Sequence, residues 1–266
     1  MKYKIFKVMK RIFMLIILFV VAVEMLNSQE LWRRKRYEAY IGIGPSQFFG
    51  DVGGFTPKKN ILGFKDFSFR QTRFDVNLGL KYRIYEDLSV RLSFSYGMLH
   101  ATDERGSNET RSYEAKTSIF EPAVMAEYAF IKSKNENSFL FQRGRSRSRG
   151  SFLSSIDVFA FGGLGGVSYK VKGNDALIER GMVESGFAAV IPVGVGASLL
   201  IHPDFNLGFE IGGRYCFSDY LDGFTSQYSS SNDVYYFVNF TFTYKILTGS
   251  NGLPEFLNFN RNRRRY

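Results

Sequence analysis

Period-two alternation of apolar and polar side chains recurs along most of this chain and predicts strands, because successive strand residues point to opposite faces. In Asn206–Asp222, Leu207, Phe209, Ile211, Tyr215 and Phe217 share one face with Gly213. Gly208, Glu210, Gly212, Arg214 and Cys216 share the other. In Arg73–Ile84 the apolar face is Phe74, Val76, Leu78, Leu80, Tyr82 and Ile84, opposed by Arg73, Asp75, Asn77, Gly79, Lys81 and Arg83. The same reading predicts strands at Tyr37–Phe48, Leu88–Met98, Ser118–Phe130, Ile156–Tyr169, Ala188–Leu200 and Val234–Ile246. The facing of 156–169 stays open, because glycines interrupt its alternation.

Eight strands have seven connections, which run long, short, long, medium, long, short, long. The polar stretches 99–116 and 170–187 are expected to be loops. Alternating long and short connections suit an outer-membrane barrel, with long loops outside and short turns in the periplasm. Strands of about eleven residues suit a tilted membrane crossing. An even strand count puts both ends of the barrel on the periplasmic side. Tyr82, Tyr96, Tyr128, Phe217 and Tyr244 fall near strand ends, where interfacial girdles lie. Pro122 and Pro192 lack a ladder donor, so bulges or weakened pairing are expected there.

The fold class read from this pattern is all-β, an eight-stranded antiparallel transmembrane barrel. A soluble barrel with apolar residues inside is disfavoured, since the apolar-face side chains are too large and too numerous for a small lumen. The charged, glycine-rich opposite face suits a polar lumen better than a dry core.

Composition sharpens this picture. Aromatics make up 17% of the 266 residues, with 26 glycines and 6 prolines, a β-rich balance. Residues 1–28 read as a signal peptide: Lys2, Lys4, Lys7, Lys10 and Arg11, then an apolar run from Ile12 to Val23. Such a run rises ~18 Å as a helix, short of a ~30 Å hydrocarbon core. Residues 29–36 form a basic periplasmic segment, 37–246 the barrel with a basic insert at 131–151, and 247–266 a basic tail. The single cysteine, Cys216, excludes an internal disulfide.

The formal charge is +10. Removing five Lys/Arg and one Glu with residues 1–28 leaves 30 basic and 24 acidic residues, +6. The runs at 33–36, 131–150 and 261–265 exceed that sum, so the remaining body is acidic. This is not a nucleic-acid surface.

Candidate sites follow. Arg73, Asp75, Lys81, Arg91, Glu121, Glu127, Glu210 and Arg214 face the narrow lumen and read as a charge network that plugs it. Asp51, Asp219, Asp222 and Asp233 read as loop tethers through Asp-to-backbone hydrogen bonds, rather than as calcium ligands. His100 with Asp103 and Ser107 could form a hydrolytic set, but nothing fixes its geometry, and the chain reads as non-enzymatic. No metal-ligand spacing or nucleotide fingerprint occurs, and no cofactor is expected. Arg33, Arg34, Lys35 and Arg36, then Arg143, Arg145, Arg147 and Arg149, then Arg261, Arg263, Arg264 and Arg265 fall on the expected periplasmic mouth. They suit either lipid headgroups or an acidic periplasmic partner.

Tyr37-Glu38, Gly42-Ile43-Gly44-Pro45-Ser46 and Phe49-Gly50-Asp51 resemble the opening strand of a family of small outer-membrane barrels. Pro192-Val193-Gly194-Val195-Gly196 resembles its sixth strand. Gly208-Phe209-Glu210-Ile211-Gly212, Arg214-Tyr215 and Asp219-Tyr220-Leu221-Asp222 resemble its seventh strand and loop. That family includes the PorG subunit of the type IX secretion system. The resemblance implies a non-enzymatic outer-membrane component in contact with lipid and with periplasmic or outer-membrane protein partners. The alternative is a stand-alone barrel that binds a ligand or surface through its outer loops. The basic insert and Arg-rich tail depart from the family pattern.

Overall fold

The computed structural model describes residues 32–53, 69–104, 109–133, 155–225, 232–249 and 251–257. The chain divides into two units. One is Arg36–Ile246; the other comprises Met1–Lys35 and Leu247–Tyr266.

The larger unit is a closed antiparallel barrel of eight strands in sequence order. They are β1 (Tyr37–Phe49), β2 (Arg73–Arg83), β3 (Leu88–Thr102), β4 (Glu114–Ile131), β5 (Ile156–Gly173), β6 (Ser185–His202), β7 (Phe205–Cys216) and β8 (Val234–Ile246). β1 closes on β8, in a register running from Tyr37 opposite Ile246 to Phe49 opposite Val234. A helix, α1 (Asp175–Glu179), lies between β5 and β6, and its N-terminal Leu177 amide is capped by the Asn174 side chain.

The exterior explains the alternation. Ile41, Ile43, Leu78, Leu80, Leu92, Val124, Val193, Val195, Phe240 and Phe242 are all exposed. Exposed Tyr82, Tyr128 and Tyr244 sit toward the end that carries Tyr37 and Ile246, and exposed Tyr96, Tyr215 and Phe217 toward the other. An apolar wall of this extent on a closed barrel is stable only in lipid, with aromatics at its two edges. The chain is an outer-membrane barrel. Among the described residues no helix is long and apolar enough to cross a membrane, and the crossing is made by strands. The short turns Ile84–Asp87 and Pro203–Asp204 share the end of the barrel with Tyr37 and Ile246, which is therefore the periplasmic end.

Several strands are longer than the alternation predicts. Leu99–Thr102, Glu114–Lys116, Lys170–Gly173 and Ser185–Phe187 are strand, where loops were expected. In β3, β4 and β5 the cause is an inversion of phase. Within the bilayer, large apolar residues point outward. Above it, Lys116, Lys170 and Lys172 point outward to water, while Ala115, Ile119, Tyr169 and Val171 point inward. Hydropathy averaged over both faces hides such a strand.

The same inversion corrects the expectation of a polar lumen. The polar part extends from the periplasmic mouth past mid-barrel, as far as Asp75, Glu121 and Arg214. Beyond it the outer end is a mainly apolar core of Leu99, Ile119, Val167, Tyr169 and Val190, which Tyr235 and Phe237 join to the polar part, closed from above by Val52, Leu177 and Leu221. β5 shows its facing here: Phe159, Phe161, Val167, Tyr169 and Val171 point in, and Leu164 points to lipid.

The two prolines weaken pairing, both against β5. Between β4 and β5 the register passes from Phe120–Ser168 to Ala123–Gly165 and skips Pro122. Between β5 and β6 it passes from Gly162–Val193 to Gly165–Val190 and skips Pro192. The register shifts lie elsewhere, at Ala129/Ile131 and Leu200/His202, near the periplasmic ends.

In the smaller unit, Trp32–Arg34 forms a short 3-10 turn, and Thr248 pairs with Pro254. The Thr248 amide donates to the Arg34 carbonyl at 2.7 Å. The expected signal peptide, residues 1–28, lies outside the described residues.

Candidate functional site

The polar part of the lumen is built in tiers. Two inward positions on β6 are glycines because large rings occupy the centre. A Cβ at Gly194 would stand 2.4 Å from the Phe161 ring, and one at Gly196 2.6 Å from the Phe159 ring. These rings give the lumen cations a flat face: the Arg91 guanidinium lies 4.5 Å from the Phe161 centroid, and Lys81 Nζ 5.1 Å from that of Phe159.

Arg91 on β3 reaches across to Glu210 on β7. Its Nη1 donates to Oε1 and Oε2 at 2.8 and 2.9 Å. Lys81 Nζ lies 2.8 Å from Glu127 and 4.0 Å from Glu210, and Arg91 lies 3.6 Å from Glu127. One tier outward, Arg214 approaches Glu121 at 3.7 Å and lies over the Phe237 ring at 4.1 Å. Glu121 accepts the Tyr235 hydroxyl at 2.5 Å, and Asp75 accepts the Asn239 amide at 2.9 Å. One tier toward the periplasm, Arg83 donates to Glu38 at 2.7 Å.

Seven of the eight expected lumen residues thus meet. Arg73 does not. It begins β2 at the outer rim, and its guanidinium donates to the carbonyls of Arg70 and Thr72 at 2.9 and 2.8 Å. Glu38, Arg83, Tyr235 and Asn239 complete the tiers. The inward parity of Glu38 and Arg83 is visible in the sequence; their pairing across β1 and β2 is not. Isolated charges here would be too costly to bury, and the pairing fills the narrow interior with side chains.

A second constellation closes the outer end. The Asp222 carboxylate accepts the Val52 amide at 2.9 Å and the Phe224 amide at 3.0 Å. Asp233 accepts the Leu221 amide at 2.8 Å. Asp103 accepts the Gly53 amide at 2.8 Å and the Arg111 guanidinium at 3.0 Å, and Arg111 also donates to the Asp51 carbonyl at 2.9 Å. Gly50 backs onto Phe48 and Asp233. Within the Asp-Tyr-Leu-Asp element, Asp219 accepts the Thr225 hydroxyl at 2.6 Å, Tyr220 is exposed and Leu221 is fully buried. These aspartates tie the first, second and fourth outer loops together. Among the described residues no group of three or more acidic, histidine or cysteine side chains is arranged for a metal.

Burial pushes the Asp222 carboxyl up to about 7, against its two amide bonds, with Asp51 and Asp219 adding repulsion. Burial also raises Asp233, and Asp222 raises it further.

His100 Nε2 lies 3.0 Å from Glu114, while Asp103 is engaged by Arg111. Ser107 lies outside the described residues, so no hydrolytic set is assembled among those described. Cys216 is buried in the outer half of the lumen.

The periplasmic mouth holds a small recess, partly open to solvent. Glu38–Arg83 and Lys81–Glu127 pairs line its floor, with Asp87 and Asp157 nearer the rim. Of the basic runs, Arg33 lies over the Trp32 ring at 5.6 Å, and Arg34, Lys35 and Arg36 lead into β1. Arg143, Arg145, Arg147, Arg149, Arg261, Arg263, Arg264 and Arg265 lie outside the described residues.

The family model described as "Domain of unknown function (DUF6089)" matches residues 10–251, and the chain belongs to that family. No curated protein matches it. Among solved structures, it is similar to Neisserial surface protein A at 11% identity, covering 79% of this chain and 96% of that one, with a TM-score of 0.43. It is similar to the attachment invasion locus protein of Yersinia pestis, solved with the heparin analogue sucrose octasulfate, at 14% identity, covering 79% and 98%, with a TM-score of 0.40. It is also similar to a major outer membrane protein from Thermus thermophilus at 13% identity, covering 78% and 98%, with a TM-score of 0.40.

Proposed function

We propose that this DUF6089 barrel is a non-enzymatic outer-membrane subunit of a protein-secretion or envelope complex, and that it docks a periplasmic partner. The observation that carries this reading is the sealed lumen. Charged tiers fill the lumen from the periplasmic mouth past mid-barrel, and tethered loops cap a mainly apolar outer end. A plugged barrel offers surfaces, not a passage. The mouth that opens to the periplasm is polar and recessed. The basic residues Arg33–Arg36 lead in sequence directly into β1, which starts at that mouth. The Asp219-Tyr220-Leu221-Asp222 resemblance supports a type IX-like machine as the setting.

Affinity purification of the tagged barrel from detergent-solubilised outer membranes tests this. The expected result is co-purification of a periplasmic protein, diminished when Arg33, Arg34, Lys35 and Arg36 are replaced by glutamine, with membrane insertion unchanged. Recovery of the barrel alone, together with normal secretion in a deletion strain, would sink the reading. It would favour the alternative, a barrel that binds through its outer loops, where Tyr220 is exposed.

A further inference from the structure

We infer that the recess at the periplasmic mouth receives a basic side chain, an arginine or lysine of a periplasmic polypeptide. The inference rests on the docking function proposed above and names the chemistry of its partner.

Three observations converge. The lining contains five acidic and three basic side chains, a net −2. Lys245, which acts on Glu38 from β8, brings the balance only to −1. The cations of the floor are already committed: Arg83 lies 2.7 Å from Glu38 and Lys81 2.8 Å from Glu127. At the rim Lys132 Nζ donates to the Glu86 carbonyl. Asp157 accepts the Ser133 amide at 2.6 Å, and no cation among the described residues bridges it. Finally, Asn206 lines the recess, is only 6% exposed, and its Oδ1 accepts no hydrogen bond.

A buried acceptor without a donor is costly, and a group that supplies N–H bonds relieves it. A guanidinium carries five donors and no acceptor, so it suits an acidic recess whose lining includes both Asp157 and Asn206. An entering carboxylate would face Asp157 and the Asn206 oxygen with acceptors only. An apolar side chain would leave the Asn206 oxygen without a donor and Asp157 without a cation.

The mature barrel in neutral detergent micelles and a fluorescein-labelled tetra-arginine peptide at low salt provide the test, read by fluorescence anisotropy. Tetra-glutamate and arginine amide serve as competitors. Tetra-arginine is expected to bind and to compete far better than either. Asp157→Asn and Asn206→Leu should each weaken it about tenfold, the loss of one hydrogen bond to a charged group. Heat-modifiable gel migration checks that these variants fold. Asp87→Asn, in an exposed turn that poses no risk to the fold, should weaken binding more modestly. Failure of wild-type barrel to bind tetra-arginine would overturn the inference, as would equal affinity across folded variants. Equal competition by arginine amide would also overturn it, since the recess would then be a small-cation site. If tetra-arginine fails while a periplasmic protein still co-purifies with the barrel, the docking function stands and only the recess is excluded.

Discussion

Arg91 and Glu210 lie 119 positions apart in sequence and meet across the lumen with Nη1 within 2.9 Å of both carboxylate oxygens. Arg91 is 1% exposed and Glu210 4%. Neither charge has water to fall back on. Arg91→Met should therefore cost about 3–5 kcal/mol, because it strands the buried carboxylate. The double variant Arg91→Met with Glu210→Met should recover most of that loss, since an apolar pair leaves no uncompensated charge. Urea unfolding in lipid vesicles measures both. A double variant no more stable than the single would show that the pair is not the unit of stability.

The outer cap should respond to pH through Asp222. Its folded carboxyl titrates at about 7, above the ordinary value of 3.8, because burial disfavours the charge. The folded cap thus holds a proton that the opened cap releases between those two values. Stability is full below the lower value and falls as pH rises through about 7. A nitroxide on Tyr220→Cys, in a Cys216→Ala background, should be less mobile at pH 5 than at pH 8.5. Asp222→Asn should reduce that difference, leaving the part contributed by the buried Asp233. Unchanged spectra across the range would contradict the assignment.

Pro122 and Pro192 interrupt the ladder on both sides of β5 at bilayer depth. No water is available there to satisfy the freed carbonyls. Pro122→Ala restores a donor and should stabilise the barrel by about 1 kcal/mol, the net worth of one hydrogen bond. Hydrogen exchange of the β5 amides should slow in the same variant. A destabilised Pro122→Ala barrel would mean that the local backbone is fitted to proline.

The alternation in Arg73–Arg83 and Val234–Ile246 was enough to locate those strands, because one face meets lipid and the other the lumen along their whole length. β4 and β5 were harder. Their outer ends leave the bilayer, and their amphipathic phase inverts at that point. Ala115 and Lys116 therefore read as loop until both faces are seen in their own solvents. Arg73 shows the opposite error. Its parity is inward, but its height puts it at the rim, where carbonyls rather than carboxylates are within reach.

The sequence by itself determined that the barrel has eight strands, which residues face lipid in every strand but β5, and which charges other than Arg73 share the lumen. Those properties follow from a period of two in a chain with one apolar solvent, and they need no distant contact. Only the tertiary structure decided that Arg91 pairs with Glu210, that Asp222 ties the fourth loop to Val52 of the first, and that the outer end of the lumen is mainly apolar. Each of these depends on stagger around the closed barrel, which sets the height at which inward side chains meet. Height is a property of the whole ring of strands and is not written in any one of them.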